Sequence, residues 1–234
     1  ANLDLGRLDA VRHLLDQLYA QRRPDWKPAL DHWEGELAKA KLATIAASPV
    51  GDLQILMLHG DGPIWLPPDS PAAELFPTAT GERLRIAFLG SSGEKATSAK
   101  AIEATFADPP GRLSRALPIF LAEQAFFHGN AQVRPLVPWA RGEISAFVFC
   151  GSPMENAEAA QHARRLDPPA DYLVITHLKA VQDPWQVELR LLRTIDAQVI
   201  GTVTVEFPML RPEAPLRQLA TGMIELLRRE AGLE

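Results

Sequence analysis

Between Trp185 and Phe207 the chain alternates apolar and polar residues. Trp185, Val187, Leu189 and Leu191 are interleaved with Gln186, Glu188 and Arg190. After a short break, Val199, Val203, Val205 and Phe207 are interleaved with Gln198, Thr202, Thr204 and Glu206. Successive side chains of a strand point to opposite faces, so this period of two predicts two strands with one packed face and one wet face. The predicted register puts Val187, Leu189 and Leu191 on a core face with Val199, Val203 and Val205. Glu188, Arg190, Thr202 and Thr204 then face water.

Upstream segments complete a sheet. Tyr172–Val181 is apolar on both alternating sets at its start, which predicts a central strand. Leu84–Leu89, Val133–Val137 and Ile144–Cys150 read as further strands. Leu113, Leu117, Phe120, Leu121 and Phe127 fit a helix, and Pro118 predicts a late start or a kink. Ser152-Pro153-Met154-Glu155 has the chemistry of a helix start, with Ser as cap and Pro at the first helical position, and that helix should stop by Asp167-Pro168-Pro169. Leu216, Leu219, Ala220, Met223, Leu226 and Leu227 make a closing amphipathic helix that ends near Gly232. The order β-α-β-(β)-α-β-β-β-α predicts an α/β (α+β) domain, a mixed β-sheet with helices packed mainly on one face.

The first 48 residues read differently. Leu5, Leu8, Leu15 and Leu18 fall on helical spacing, and Trp26, Leu30, Trp33 and Leu37 share one face of a second helix. The expectation is an N-terminal helical hairpin over 1–48, in which both tryptophans pack. Two helices cannot hide that much apolar surface against each other, so the domain, a second chain or further repeats should cover the rest. Residues 49–80 hold one strand at Leu53–Leu58, the turn signal Gly60-Asp61-Gly62-Pro63, and a connector punctuated by Pro67, Pro68, Pro71 and Pro77. The α/β domain then occupies 81–234.

The domain's segments carry a resemblance. Leu84-Arg85-Ile86-Ala87-Phe88-Leu89, the helix around Leu113–Phe127, Ala170-Asp171-Tyr172-Leu173-Val174 and the 187–207 hairpin resemble the TolB amino-terminal-like domains. Related modules occur in curli-secretion, flagellar-assembly and penicillin-binding-protein-activator lipoproteins. The resemblance covers about the last 150 residues. It implies a non-enzymatic module that binds partner proteins or builds assemblies in a bacterial envelope. The chain departs from the pattern in its insertion Gly90–Gly111, in the strand Ile144–Cys150, and in Thr176-His177, where a glycine is common.

Composition excludes other classes. The 234 residues carry a formal net charge of −5, against the basic stripe of a nucleic-acid binder. No apolar run reaches the roughly 20 residues of a membrane-spanning helix. A single cysteine, Cys150, excludes an intrachain disulfide framework. The chain begins at Ala1 rather than Met, which reads as processing or truncation. The expected compartment, taken from the resemblance, is periplasmic or envelope-associated.

Motifs for chemistry are thin. Gly90-Ser91-Ser92-Gly93-Glu94-Lys95-Ala96-Thr97 follows a strand, but a phosphate loop needs Gly directly before Lys and Ser or Thr directly after it. Glu94 and Ala96 stand there, so this stretch reads as a surface loop. Cys150 reads as a largely buried apolar filler with no histidine at its sulfur. His13, His32, His59, His128, His162 and His177 lack the one-turn spacing of metal ligands and read as surface or capping residues. Gly62-Pro63-Ile64-Trp65-Leu66-Pro67-Pro68 suits an extended strand added to a sheet edge. No catalytic, cofactor-binding or metal-ligating residue is expected, and no cofactor. The expected partners are a protein and a second copy, the latter through the N-terminal helices. The rival readings are a sensory or regulatory domain attached to upstream helical repeats, and a small-molecule enzyme with a cleft near Gly90 and Cys150.

Overall fold

The computed structural model describes residues 7–21, 23–34, 36–37, 54–66, 70–71, 74, 83–95, 109–141, 146–208 and 212–233. Leu5, the segment toward Ser48, Pro67, Pro68, Pro77, Ala96, Thr97 and Ile144 lie outside the described residues. The chain divides into two units, one within 1–53 and 97–109 and the other within 54–96 and 110–234.

The first unit holds α1 (Leu8–Ala20), a 3-10 turn (Pro24–Trp26) and α2, helical over residues 27–34 and 36–37. Val11, Leu15, Leu30 and Leu37 are buried together, with Leu8, Leu18, Tyr19 and Trp26 against them. A polar seam closes beside this core. The Tyr19 hydroxyl donates to Asp31 Oδ1 and Glu34 Oε2, each at 3.0 Å, and Arg12 donates to Glu34 at 3.0 Å. Burial, then the hydrogen bonds and charges of Glu34 and Asp31, push the Tyr19 phenol up to about 12. Trp33 does not pack as expected and stays half exposed, edge-on to His32. The face of α2 turned to α1 is centred on Leu30, Glu34 and Leu37, and Trp33 lies at its margin.

The second unit is built on one mixed sheet. Its strands are β1 (Gln54–His59), β2 (Leu84–Leu89), β3 (Gly93–Lys95), β4 (Ala131–Arg141), β5 (Ala146–Phe147), β6 (Tyr172–Ala180), β7 (Trp185–Arg193) and β8 (Gln198–Phe207). The main path runs β1-β4-β2-β6-β7-β8, with β3 on β6 and β5 on β4. The centre, β4-β2-β6, is parallel, and the flanks are antiparallel. The helices are α3 (Pro109–His128), α4 (Asn156–Arg164) and α5 (Glu213–Ala231).

Two cores sandwich the sheet. On one face, Ile86, Phe88, Val174, Leu178, Val187, Leu189, Leu191, Val205 and Phe207 pack with Leu117 and Leu121 of α3 and Leu219, Met223 and Leu227 of α5. On the other, Ala87, Leu89, Leu136, Leu173, Ile175 and Leu192 pack with Ala159 and Ala163 of α4. Two of the three helices therefore share a face. The central strands are buried on both sides, which is why Tyr172–Ala180 reads as a continuous apolar run rather than an alternation.

The hairpin register is as expected from Val187↔Val205 to Leu191↔Gly201, and Thr202 and Thr204 are exposed. Val199 departs from it. A bulge between Leu191 and Leu192 pairs Val199 with Leu192, and both turn to the α4 face. Glu188 and Arg190 are half-buried rather than wet, and Arg190 Nη1 donates to Asn156 Oδ1 at the start of α4. That anchor also explains why α4 begins at Asn156 with Glu155 as its cap rather than at Ser152: Met154 first packs against the second core.

Candidate functional site

Chemistry-bearing side chains converge where β2 ends. The chain leaves β2 for α3 on one face of the sheet and returns through β4 to α4 on the other, so neighbouring connections diverge at the carboxyl end of β2. Ligand sites of open α/β sheets form at such points.

β3 continues the line of β2 along β6 after a detour at Gly90-Ser91-Ser92. Ser91 sits at φ 64°, a left-handed conformation unusual outside glycine. Pro118 fixes this detour from beneath. It has no N–H for the carbonyl of Ser114 one turn earlier, so α3 runs through Pro118 without breaking while that carbonyl accepts the Ser91 N–H at 3.1 Å. Gly90 lies so close that a β-carbon there would stand 2.5 Å from the Ser114 oxygen. The first part of the stretch read as a surface loop, 90–93, is therefore buried, with Ser91 1% and Ser92 4% exposed, while Glu94 is exposed.

The Gly93 amide, like that of Ser91, is already in use. Gly93 N–H donates to Cys150 O and Cys150 N–H to Ser91 O, each at 2.9 Å, while Val148 N–H donates to Pro138 O. Residues 148–150 thus tie β4 to the detour instead of extending a long strand. Among the described residues of the expected Ile144–Cys150 strand, Ala146–Phe147 form a strand and Cys150 makes an isolated parallel bridge to Ser92.

Ser92 Oγ lies 3.2 Å from Thr176 O and 3.1 Å from His177 Nδ1. His177 Nε2 is 3.6 Å from Glu94 Oε1, and Glu188 is the cross-strand neighbour of His177. Serine, histidine and glutamate therefore stand in a row. Their arrangement is not that of an activated nucleophile: the serine is buried, its hydroxyl is turned toward a backbone carbonyl, and the acid is half exposed. His177 itself is buried, not a surface or capping residue. Burial lowers its pKa; the nearby carboxylate of Glu94 and the charge of Glu188 oppose this, and Lys179 adds to the lowering.

Cys150 is exposed, contrary to the expectation of a buried filler, although its backbone bridges Ser92. Among the described residues no histidine bonds its sulfur. Partial burial of the thiol, then the charge of Glu158, raises its pKa above the ordinary value. Labelling by a maleimide should therefore be slow at pH 7 and still be rising above pH ~8.5. Glu158→Gln should speed labelling at pH 7.5 about twofold. A rate that levels off below pH ~7.5 would mean an activated thiolate and defeat this reading.

The sequence readings of the other candidates separate. Among the described residues no cluster of three potential metal ligands occurs. Gly62–Leu66 is a turn rather than a strand, with Leu66 N–H on Pro63 O at 2.9 Å. Trp65 stacks on Phe127 of α3, ring centres 5.8 Å apart and planes 13° from parallel. A groove of about 430 Å³ between α3 and α5 is lined by none of the residues of the Ser92–His177 row. No helix among the described residues is long and apolar enough to cross a membrane.

No family model and no curated protein matches the sequence. Among solved structures the chain is similar to the PelC dodecamer of Paraburkholderia phytofirmans in two crystal forms, one a point variant. Identities are 13% and 14% and TM-scores 0.36 and 0.30, over 74% of this chain and 98% and 96% of that one. It is also similar to lipoprotein GNA1162 from Neisseria meningitidis, at 11% identity and a TM-score of 0.24, over 61% of this chain and 94% of that one. TolB from Acinetobacter baumannii matches at 12% identity and a TM-score of 0.31, over 74% of this chain and 31% of TolB. TolB, whose family the sequence resembles, is thus among the solved structures the chain is similar to.

Proposed function

We propose that this chain is a non-enzymatic protein-binding and assembly module of a bacterial envelope or multidomain protein. One observation carries the binding part: Ile64, Trp65 and Phe127 stand 64%, 49% and 42% exposed, with the two rings stacked. Aromatic residues held rigidly at a surface lose little entropy on docking and dominate protein interfaces. The inward-turned Ser92 and the raised thiol of Cys150 support the non-enzymatic part. The envelope setting comes from the sequence resemblance to TolB amino-terminal-like domains. The partner we assign is another protein, at the Trp65 surface.

A photo-crosslinking residue in place of Ile64, in the host cell, tests this. We expect one discrete protein adduct, lost with Trp65→Ala, which should weaken binding by about 2 kcal/mol or roughly 30-fold. No adduct, or one indifferent to Trp65→Ala, would overturn the proposal.

A further inference from the structure

Among the described residues β1 ends the sheet, with its outer edge unpaired. Gly60 N–H donates to Pro135 O and Gly62 N–H to Val133 O. In an antiparallel ladder the direction of the backbone groups alternates. The even-numbered residues of β1 therefore address β4, and Ile55, Met57 and His59 turn their N–H and C=O groups outward. Among the described residues nothing takes those groups, since β1 pairs with β4 alone.

Open edges usually refuse partners through charge, proline or a bulge. Gln54-Ile55-Leu56-Met57-Leu58-His59 has no acidic residue, lysine, arginine or proline, and its ladder to β4 is unbroken. Its side chains are also exposed on both faces of the sheet, Ile55 on one and Leu56 and Leu58 on the other. A helix laid on the sheet covers one face. A strand laid alongside covers both and takes the open hydrogen bonds as well.

We propose that the occupant is β1 of a second copy, antiparallel about a two-fold axis normal to the sheet at Met57. Such an axis keeps the faces of the two sheets matched, so only residues on the same face can stand opposite each other. Centred on Met57, it sets Met57 opposite Met57 and Ile55 opposite His59, the residues whose backbone groups are free. On the other face each Leu56 meets the partner's Leu58. Charge also favours this edge: each copy carries a formal net charge of −5, and this strand brings no like charges together. A six-residue pairing is about 20 Å long and should bury less than the ~1,600 Å² of a standard interface. The dimer is therefore weak and concentration-dependent.

This goes beyond the Trp65 reading, and its test leaves that surface untouched. Sedimentation equilibrium of the 234-residue chain from about 1 μM to about 500 μM should show the mass rising from 25.7 kDa toward twice that value. Met57→Pro removes an outward N–H and leaves the bonds to β4 in place, so it should weaken the dimer at least ~10-fold. Leu56→Lys sets a charge against the partner's Leu58 and should do the same. It carries the test if the proline variant loses its melting transition. A mass that stays at 25.7 kDa overturns the proposal. So does a dimer that survives in folded Leu56→Lys, which would move self-association to the N-terminal helices, or a mass that grows without limit.

Discussion

Gly90→Ala should lower the melting temperature by about 6–12 °C, the equivalent of roughly 3 kcal/mol in a domain of this size. The added β-carbon would stand 2.5 Å from a backbone oxygen of α3 and 2.8 Å from Cδ of Pro118, and neither atom belongs to a flexible side chain. The helix or the end of β2 must move, and both are packed against the core shared by Ile86, Phe88, Leu117 and Leu121. The same movement breaks the bond from Ser91 N–H to Ser114 O, which fixes the left-handed residue beside Ser92. Gly151→Ala is the control, because a β-carbon there meets nothing within 4 Å. A Gly90→Ala protein melting within about 2 °C of the parent would show that the strand and helix do not approach this closely.

The same region marks the limit of what the chain discloses unfolded. Period and turn chemistry are local, so β2, β6, β7, β8 and α5 follow from residues adjacent in sequence. Val199 was misplaced because a bulge shifts a strand by one residue without changing its composition. The Ser91 detour was missed for a different reason. Its cause is Pro118, more than twenty residues away, whose lost hydrogen bond reads in sequence as a kink and in the fold as a carbonyl offered to another segment. The expectation that Cys150 is buried rests on Phe147, Val148 and Phe149 before it, yet the strand with β4 ends at Phe147 and Cys150 bridges Ser92 with its side chain exposed. One signal for the site was present. His177 interrupts an apolar run that otherwise reads as buried on both faces, and a polar residue in a doubly buried strand needs a partner. Ser92 Oγ and Glu94 are the groups that meet it.

His177→Gln should flatten the acid side of the stability profile. The imidazole is 4% exposed; Ser92 of the detour and Glu94 of β3 meet its nitrogens, Glu188 of β7 stands across from it, and Lys179 follows on its own strand. Burial is the largest influence and lowers its pKa; the two carboxylates oppose it, Lys179 reinforces it, and the net direction is down. The unfolded chain, with an ordinary histidine near 6.5, therefore takes up the proton first as pH falls. The stabilisation is complete above about pH 6.5 and is lost on acidification toward the folded-state pKa, at a slope of up to about 1.4 kcal/mol per pH unit. Glutamine keeps a polar partner for Ser92 but cannot titrate. The stability gap between the parent and His177→Gln, followed by urea titration, should shrink steadily from about pH 7.5 to about pH 5. Glu94→Gln should carry the loss to lower pH, because it removes the stronger of the two carboxylates that hold the proton on His177. A constant gap would mean that His177 does not change its proton affinity on folding. A widening gap would mean that the carboxylates, not burial, dominate this row and that it holds an imidazolium.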